Sequence, residues 1–254
     1  TSVIEEFEND QSELFSNKTD INSSASRGSI FGKRGHAFVT ELVEKINAKD
    51  VLDLYKRDHP DDAINTILDF ICKKNFIDKS KLISIKASNS IKLLRTGGPC
   101  KTDFFIKAQI NDGNYLLETF SAKFTDKTRV TCHEYNYERF VKVMDCKGTK
   151  LENYLRLFQK YGGYKELKAN LPKDYTINEF VNLLKSKEKV LLEWALKGEH
   201  DFDQLVEPDF QVCKNLVFRA SRKTICFSYN EYIKKAKNMQ KSNTANFGTI
   251  FSWT

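Results

Sequence analysis

The chain lacks any long hydrophobic run, because polar residues interrupt every apolar stretch before the roughly 18 residues typical of a membrane helix. We therefore expect no transmembrane span and no contact with a membrane. The first residues, TSVIEEFENDQSE, are polar and acidic and lack the apolar centre of a secretory signal. Both absences favour a cytoplasmic protein.

The sequence also lacks paired cysteines, since none of the six stands in a CxxC spacing. Most occur among apolar neighbours, which favours reduced, buried thiols over disulfides. Cys132, His133 and Cys146 have the side chains of a zinc site, but without paired spacing we expect no zinc there. The chain shows no RNP-type aromatic signature either, so an RNA-binding or RNA-cleaving domain is the remotest alternative.

The chain's length and composition fit one sizeable domain, or one domain with a small appendage. It has 254 residues, of which 40% are hydrophobic. Residues 3–15 predict a short acidic helix, and the stretch SNKTDINSSASRGS at 16–29 has the composition of a linker. We therefore divide the chain into an N-terminal helix with a polar linker, 1–30, and a main domain, 31–254.

Apolar spacing and turn residues predict the elements of the main domain. We expect helices at 31–48, 61–75, 134–146, 149–161, 163–170, 177–198 and 230–239, and strands at 82–88, 91–96, 103–110, 115–123, 213–220 and 223–229.

Positive charge is concentrated at the C-terminal end. Residues 213–254 contain eight lysines and arginines against Glu231 alone, a net charge of +7 that equals the net charge of the whole chain. Such a concentration is typical of surfaces that bind polyanions. The alternative is a solvated basic helix face, which EYIKKAKNMQK alone would favour.

The most informative segment is 97–123, GGPCKTDFFIKAQINDGNYLLETFSAK, which predicts a β-hairpin. Two strand-like runs flank the turn Asp112-Gly113-Asn114. Antiparallel pairing across this turn places Asp103 beside the end of the second strand. Because side chains alternate along a strand, Ser121 and Lys123 point to one face. A carboxylate, a hydroxyl and an ammonium are thus expected at one edge.

These three groups suit the hydrolysis of a phosphodiester. The reaction uses a hard divalent cation held by oxygen ligands and a positive group near the developing negative charge. Asp103 would hold the metal, Lys123 would position water and stabilise charge, and Ser121 would be a weak ligand or donate to one. The spacing alone is a weak signal, and in the alternative Asp103 caps a turn while Lys123 is solvated.

Several blocks in order resemble the MspI type of type II restriction endonuclease, a branch of the PD-(D/E)XK nuclease superfamily. The resemblance covers most of residues 85–254 and implies that Asp103 binds metal and Lys123 is catalytic. The blocks are GGPCKTD at 97–103, FSAK at 120–123, Val130 leading into Glu134-Tyr135, LLEWALK at 191–197, EPDF at 207–210 and FGTIFSWT at 247–254.

The resemblance implies an α/β fold, a PD-(D/E)XK restriction-endonuclease-like mixed sheet flanked by helices, with the active site at one sheet end. Residues 31–254 would form the nuclease domain, with the basic DNA-binding part at 213–254. The implied reaction is Mg²⁺-dependent hydrolysis of double-stranded DNA at a short palindrome, with CCGG as the expected target and 5′-phosphate ends. The resemblance also implies a monomer in a prokaryotic cytoplasm and a cognate DNA methyltransferase acting on the same site.

One departure from the family pattern concerns the metal site. The MspI type carries Asn two residues before the lysine, where this chain has Ser121, a poorer ligand. Glu118 falls on the opposite strand face by parity. Glu134 or Glu138 on the following helix is the better candidate for a substitute ligand.

Base reading is expected from residues that follow the catalytic lysine and from the terminal block. The resemblance aligns Thr131 and Thr254 with residues that contact bases in the MspI type, and Arg129 suits a guanine. Alternatively, Lys127 and Arg129 contact only phosphate. The full set of expected DNA contacts is Lys101, Lys127, Arg129, Thr131, Arg222, Lys223, Trp253 and Thr254.

Two other functions remain open. A non-cleaving DNA-binding protein would retain the basic surface, with Ser121 marking a degenerate metal site. A structure-specific nicking or repair nuclease would cut one strand or an aberrant junction.

Overall fold

A computed structural model describes residues 24–58, 61–111, 113–125, 136–162, 164–220 and 223–240. No helix among these residues is both long and apolar enough to cross a membrane. The predicted helix at 3–15 lies outside the described residues.

The centre of the fold is a five-stranded mixed sheet in the order β1-β2-β3-β4-β5. All neighbours are antiparallel except β3 and β4, which are parallel. This confirms the predicted mixed sheet and the 103–123 hairpin. The strands are β1 Leu82–Ser88, β2 Phe104–Ile110, β3 Tyr115–Thr125, β4 Asn215–Ala220 and β5 Lys223–Ser228.

Three helices cover one face of this sheet: α1 Ser24–Ile46, α2 Val51–Lys56 and α3 Asp62–Lys74. The side chain of Asp61 caps α3 by accepting a hydrogen bond from the Ile64 amide at 3.1 Å. Alternate strand residues face these helices, so that Phe104, Ile106, Phe120 and Val217 join the helices in one buried core. This core fixes which strand residues are left for the other face.

Five further helices pack around a second core, which is rich in aromatic side chains. They are α4 Tyr137–Val143, α5 Lys150–Tyr161, α6 Tyr164–Ala169, α7 Ile177–Ser186 and α8 Glu188–Lys197. Trp194 lies in this core, as predicted, with its ring edge-on to Phe140 at 5.1 Å. The short helix α9 Pro208–Gln211 precedes β4, and α10 Tyr229–Gln240 follows β5 and confirms the predicted basic helix.

Three predicted elements were wrong in whole or in part. Residues 91–96 form no strand, because their backbone amides bond to loops instead of to a neighbouring strand. The Arg95 amide donates to the Gln204 carbonyl, and the Leu94 amide donates to the Gly98 carbonyl. The single helix at 177–198 is divided at Lys187, whose amide closes a tight turn onto the Leu184 carbonyl. Helix α1 begins at Ser24, so the polar stretch from 24 to 29 is helical instead of a linker.

The described cysteines are all free thiols, and the predicted burial is confirmed for Cys72, Cys146 and Cys213, whereas Cys100 and Cys226 are half-buried. Cys132 and His133 lie outside the described residues.

A buried polar network joins α3 to β3 and β4. The carboxylate of Glu118 accepts hydrogen bonds from Lys74 Nζ (2.6 Å), Asn75 Nδ2 (2.9 Å) and Asn215 Nδ2 (2.7 Å). Burial alone would raise the pKa of Glu118, but these three donors outweigh it and hold the pKa below 4.5. The ionised carboxylate therefore stabilises the fold at neutral pH.

We expect Glu118→Gln to lower the free energy of unfolding by about 1–3 kcal/mol at pH 7, because buried donors lose a charged acceptor. Since the folded pKa is lowered, this stabilisation is present above the unfolded pKa and is lost as pH falls through the folded pKa. Urea unfolding at pH 7 and at several values below 4.5 should therefore show the two proteins converging in acid. Glu44→Gln, an exposed change on α1, is the matched control. A difference that is unchanged in acid would contradict the assignment.

Candidate active site

Asp103 lies where the hairpin prediction places it, beside the end of β3. Its amide donates to the Phe120 carbonyl at 2.8 Å, extending the β2–β3 pairing by one residue. Its Oδ2 accepts hydrogen bonds from the Ser121 hydroxyl at 3.0 Å and from the Ala122 amide at 2.7 Å. The carboxylate is therefore oriented by the strand itself.

The second oxygen of this carboxylate is available to a ligand. Asp103 is half-buried, and its Oδ1 accepts no hydrogen bond from the residues that the structure describes. A fixed carboxylate with one open oxygen is a suitable ligand for a hard cation. Ser121 is 2% exposed, and its hydroxyl donates to Asp103. The hydroxyl is therefore engaged in orienting the carboxylate.

Lys123 shares the strand face of Ser121, two residues further along β3, and pairs in register with Phe218 of β4. Its side chain is half-buried, and its ammonium forms no hydrogen bond or ion pair with the other described residues. An ammonium in that setting can engage an anion that enters the site.

The buried thiol of Cys213 lies near both charges. Burial raises the pKa of Cys213 to about 12; the Asp103 carboxylate raises it too, and the Lys123 ammonium opposes this. Both charged groups therefore lie near enough to Cys213 to act on its thiol. The thiol is neutral at physiological pH and donates to the Asn215 carbonyl at 2.8 Å, so it is no nucleophile.

The two predicted substitute ligands, Glu134 and Glu138, remain predictions. Glu118 is saturated by its three donors on the opposite face of β3, as strand parity predicted. Glu138 is exposed on the first turn of α4, and Glu134 lies outside the described residues.

Two of the predicted DNA contacts fall within the described residues. Lys223 is exposed at the start of β5, on the same sheet face as Lys123 and two strands away from it. Lys101 lies two residues before Asp103. The remaining predictions, Lys127, Arg129, Thr131, Arg222, Trp253 and Thr254, lie outside the described residues.

The stem of Lys101 packs on the end of helix α8. Gly198 ends that helix with φ of 79°, and a Cβ placed on it would lie 3.2 Å from Lys101 Cγ and 3.4 Å from Lys101 Cβ. Glycine is thus needed at this position for the backbone conformation and for the close approach of Lys101.

The basic C-terminal part divides between internal and surface roles. Arg219 faces α1, with its guanidinium 5.3 Å from the centre of the Phe38 ring and 3.6 Å from Glu41. Lys214 is exposed and donates to the Leu117 carbonyl at 3.0 Å. Lys223, Lys234 and Lys235 are exposed. The positive charge of 213–254 is therefore only partly available to an external polyanion.

A second group of metal-ligating side chains was not predicted. Ligand atoms of Glu193, Glu199 and His200 lie within 4.8 Å of one another. However, Glu193 already bonds His200 Nε2 at 2.6 Å, and Glu199 pairs with Lys197 Nζ at 2.6 Å. The Glu193–His200 hydrogen bond and the Glu199–Lys197 ion pair account for this group, and no sequence motif could have revealed it.

The amino-acid sequence matches a known protein family. Residues 17–254 match the family described as restriction endonuclease MspI. The type II restriction enzyme BsuFI from Bacillus subtilis is 26% identical over 235 residues, which are 90% of this chain and 56% of that enzyme. The chain thus spans little more than half the length of this relative.

The fold matches a crystal structure of restriction endonuclease MspI in complex with its cognate DNA. The TM-score is 0.70 at 16% identity, and the match covers 98% of this chain and 92% of that one. At this identity the likeness establishes the fold, and it confirms the predicted restriction-endonuclease-like α/β architecture.

The contact between Gly198 and Lys101 can be tested with a matched pair of glycines. Gly162 also ends a helix with a left-handed φ, 76°, but has no atom within 4 Å of the Cβ position. We expect Gly162→Ala to cost about 1 kcal/mol of stability through backbone strain. Gly198→Ala should cost about 1 kcal/mol more, because Lys101 must also move.

Chemical denaturation of both variants measures this difference directly. Equal losses of stability in the two variants would contradict the close packing of Lys101 against Gly198.

Proposed function

The chain belongs to the MspI family of restriction endonucleases, and from this premise we propose that it is a type II enzyme that hydrolyses both strands of DNA at a short palindrome with Mg²⁺. The observation that carries the proposal is the hairpin edge, where Asp103 has one oriented and one open carboxylate oxygen beside Lys123. The activity, substrate and partners that follow are parts of this proposal.

Asp103 is the residue suited to hold the cation, through its open Oδ1. When bound, Mg²⁺ polarises the scissile phosphate and lowers the pKa of the attacking water. The Ser121 hydroxyl and the Ala122 amide fix the carboxylate through Oδ2. Ser121 therefore acts mainly by orienting Asp103, which accounts for a hydroxyl where the family pattern has an amide.

Lys123 supplies the positive charge of the site. Its ammonium orients the attacking water by hydrogen bonding and stabilises the negative charge that develops on the phosphate. Attack on phosphorus opposite the 3′ oxygen releases that oxygen as a hydroxyl and leaves the phosphate on the 5′ end of the next nucleotide.

We assign Lys101 and Lys223 to contacts with the DNA backbone near the scissile phosphate. Lys101 leads into Asp103, and Lys223 lies on the face of Lys123 two strands away. Contacts of this kind supply affinity and register, and base contacts supply the sequence preference.

We propose CCGG as the target, on the strength of the family resemblance in the 97–123 and C-terminal blocks. The base contacts assigned to Lys127, Arg129, Thr131 and Thr254 remain predictions. The enzyme would act as a monomer in a prokaryotic cytoplasm, and a cognate methyltransferase would protect the same site in host DNA.

A DNA-binding protein without cleavage activity is the alternative. The observation that favours it is Ser121, which leaves Asp103 as the one carboxylate at this edge among the described residues. The two functions differ in whether Mg²⁺ triggers cutting.

We expect unmethylated plasmid to be cut into discrete fragments when Mg²⁺ is added, with CCGG and a 5′-phosphate at every end. Asp103→Ala and Lys123→Met should each slow cleavage by at least about 10²-fold, because each removes a group that stabilises the transition state. Both variants should still bind DNA. Gel analysis and sequencing of the fragment ends measure these outcomes.

Asp53→Ala and Lys49→Met are matched controls, since both side chains are exposed and lie in or beside α2, on the helices that cover the opposite face of the sheet. If the plasmid stays intact under all conditions while salt-sensitive DNA binding is retained, the protein is instead a DNA-binding protein without cleavage activity. Cutting at a different palindrome would correct only the target.

A further inference from the structure

Segment 211–214 joins α9 to β4 and packs against the candidate site. Cys213, at its centre, is a buried thiol that donates to the Asn215 carbonyl at the start of β4. The Cys213 amide also donates to the Lys197 carbonyl at 2.8 Å, which ties the segment to the end of α8. The segment therefore contacts the site from the side of the second core.

Gln211 uses all the hydrogen-bonding capacity of its side chain on the backbone of two loops. Its Nε2 donates to the carbonyls of Lys92 (2.7 Å) and Leu93 (3.2 Å). Its Oε1 accepts from the amides of Val206 (2.7 Å) and Glu207 (2.8 Å). The side chain is completely buried. A buried amide with every donor and acceptor satisfied fixes its partners in one arrangement.

The loop that Gln211 holds is the one that leads to Asp103. It runs from the end of β1 to β2 without regular structure and carries Lys101. The Arg95 amide donates to the Gln204 carbonyl, and the stem of Lys101 rests on Gly198. Gln211, Gly198 and Lys101 line the same small cavity. Gln211 therefore holds the first part of this loop and borders the cavity that Lys101 also lines.

Thr119 ties the other end of the segment to the catalytic hairpin. Its hydroxyl donates to the Val212 carbonyl at 2.8 Å and accepts from the Lys214 amide at 2.9 Å. Thr119 is completely buried and lies two residues before Ser121 on the same strand face. Segment 211–214 is thus bonded to the Lys101 loop through Gln211 and to β3 through Thr119.

We propose that Gln211 and Thr119 are positioning residues that set the Lys101 loop against the Asp103–Ser121–Lys123 edge, so that a DNA phosphate is placed correctly over Asp103. Neither residue touches DNA in this account. The inference rests on the proposed nuclease function and adds residues that act through others. A misplacement of about 1 Å in such an arrangement can slow a reaction by about 10²-fold.

The test compares single-turnover cleavage with DNA binding in four variants. Gln211→Met retains the side-chain length and removes its hydrogen bonds; Thr119→Val retains the shape and removes the hydroxyl; Thr119→Ser restores that hydroxyl. Gln109→Met is the matched control, since Gln109 lies on β2 and its side chain hydrogen-bonds only to the exposed Ser84 among the described residues.

We expect Gln211→Met and Thr119→Val to slow cleavage by about 10- to 100-fold, with dissociation constants for DNA within about threefold of the wild type. Thr119→Ser and Gln109→Met should cleave at close to the wild-type rate. Thermal melting verifies that each variant is folded at the assay temperature. If Gln211→Met melts below the assay temperature, the comparison of Thr119→Val with Thr119→Ser tests the inference.

This inference alone would be overturned if Gln211→Met and Thr119→Val cleave at the wild-type rate. It would also be overturned if Thr119→Ser is as slow as Thr119→Val. A wild type that cuts no DNA would overturn the proposed function and this inference with it.

Discussion

The Asp103 carboxylate, bonded through one oxygen to Ser121 and Ala122, is the interaction on which the candidate site depends. It exists because Asp103 comes directly before β2 and the hairpin register returns the end of β3 to the same point. The two donors hold one oxygen and leave the other exposed to a ligand. With the carboxylate so fixed, Lys123 lies on the same face of β3 as Ser121, two residues further along the strand.

The sheet separates this site from the buried network on its other face. Glu118 and Ser121 are three residues apart on β3, yet Glu118 bonds α3 while Ser121 bonds Asp103. Strand alternation makes that separation unavoidable. One carboxylate is saturated by buried donors and stabilises the fold, and the other retains an open oxygen. The contrast explains why Glu118 cannot replace the ligand that the family pattern would place at 121.

Local patterns predicted the parts of the fold that depend on local physics. Alternating apolar residues and a tight turn identified the hairpin, and helical spacing identified α3 and the buried side of Trp194. The errors arose where distant partners decide the structure. Residues 91–96 read as a strand, but Gln211, more than a hundred positions away, binds two of their carbonyls. No sequence pattern distinguishes that glutamine from an exposed one.

Charge counting also has a physical limit in this chain. Arg219 and Glu41 meet only because β4 and α1 lie together in the folded chain, so a sum over 213–254 counts as free a cation that is paired within the fold. Similarly, Gly198 could be recognised as a helix end from its sequence context, but its contact with Lys101 depends on how the second core meets the sheet.

The central claim is that Asp103 holds the catalytic cation at the hairpin edge. Anomalous diffraction from crystals of the protein with Mn²⁺ and an uncleavable CCGG duplex would locate the cation directly. The account predicts an anomalous peak about 2.0–2.6 Å from Asp103 Oδ1, the range for hard cations and oxygen ligands, next to the scissile phosphate. A peak at Glu193, Glu199 and His200 with none at Asp103, while the duplex is bound, would contradict it.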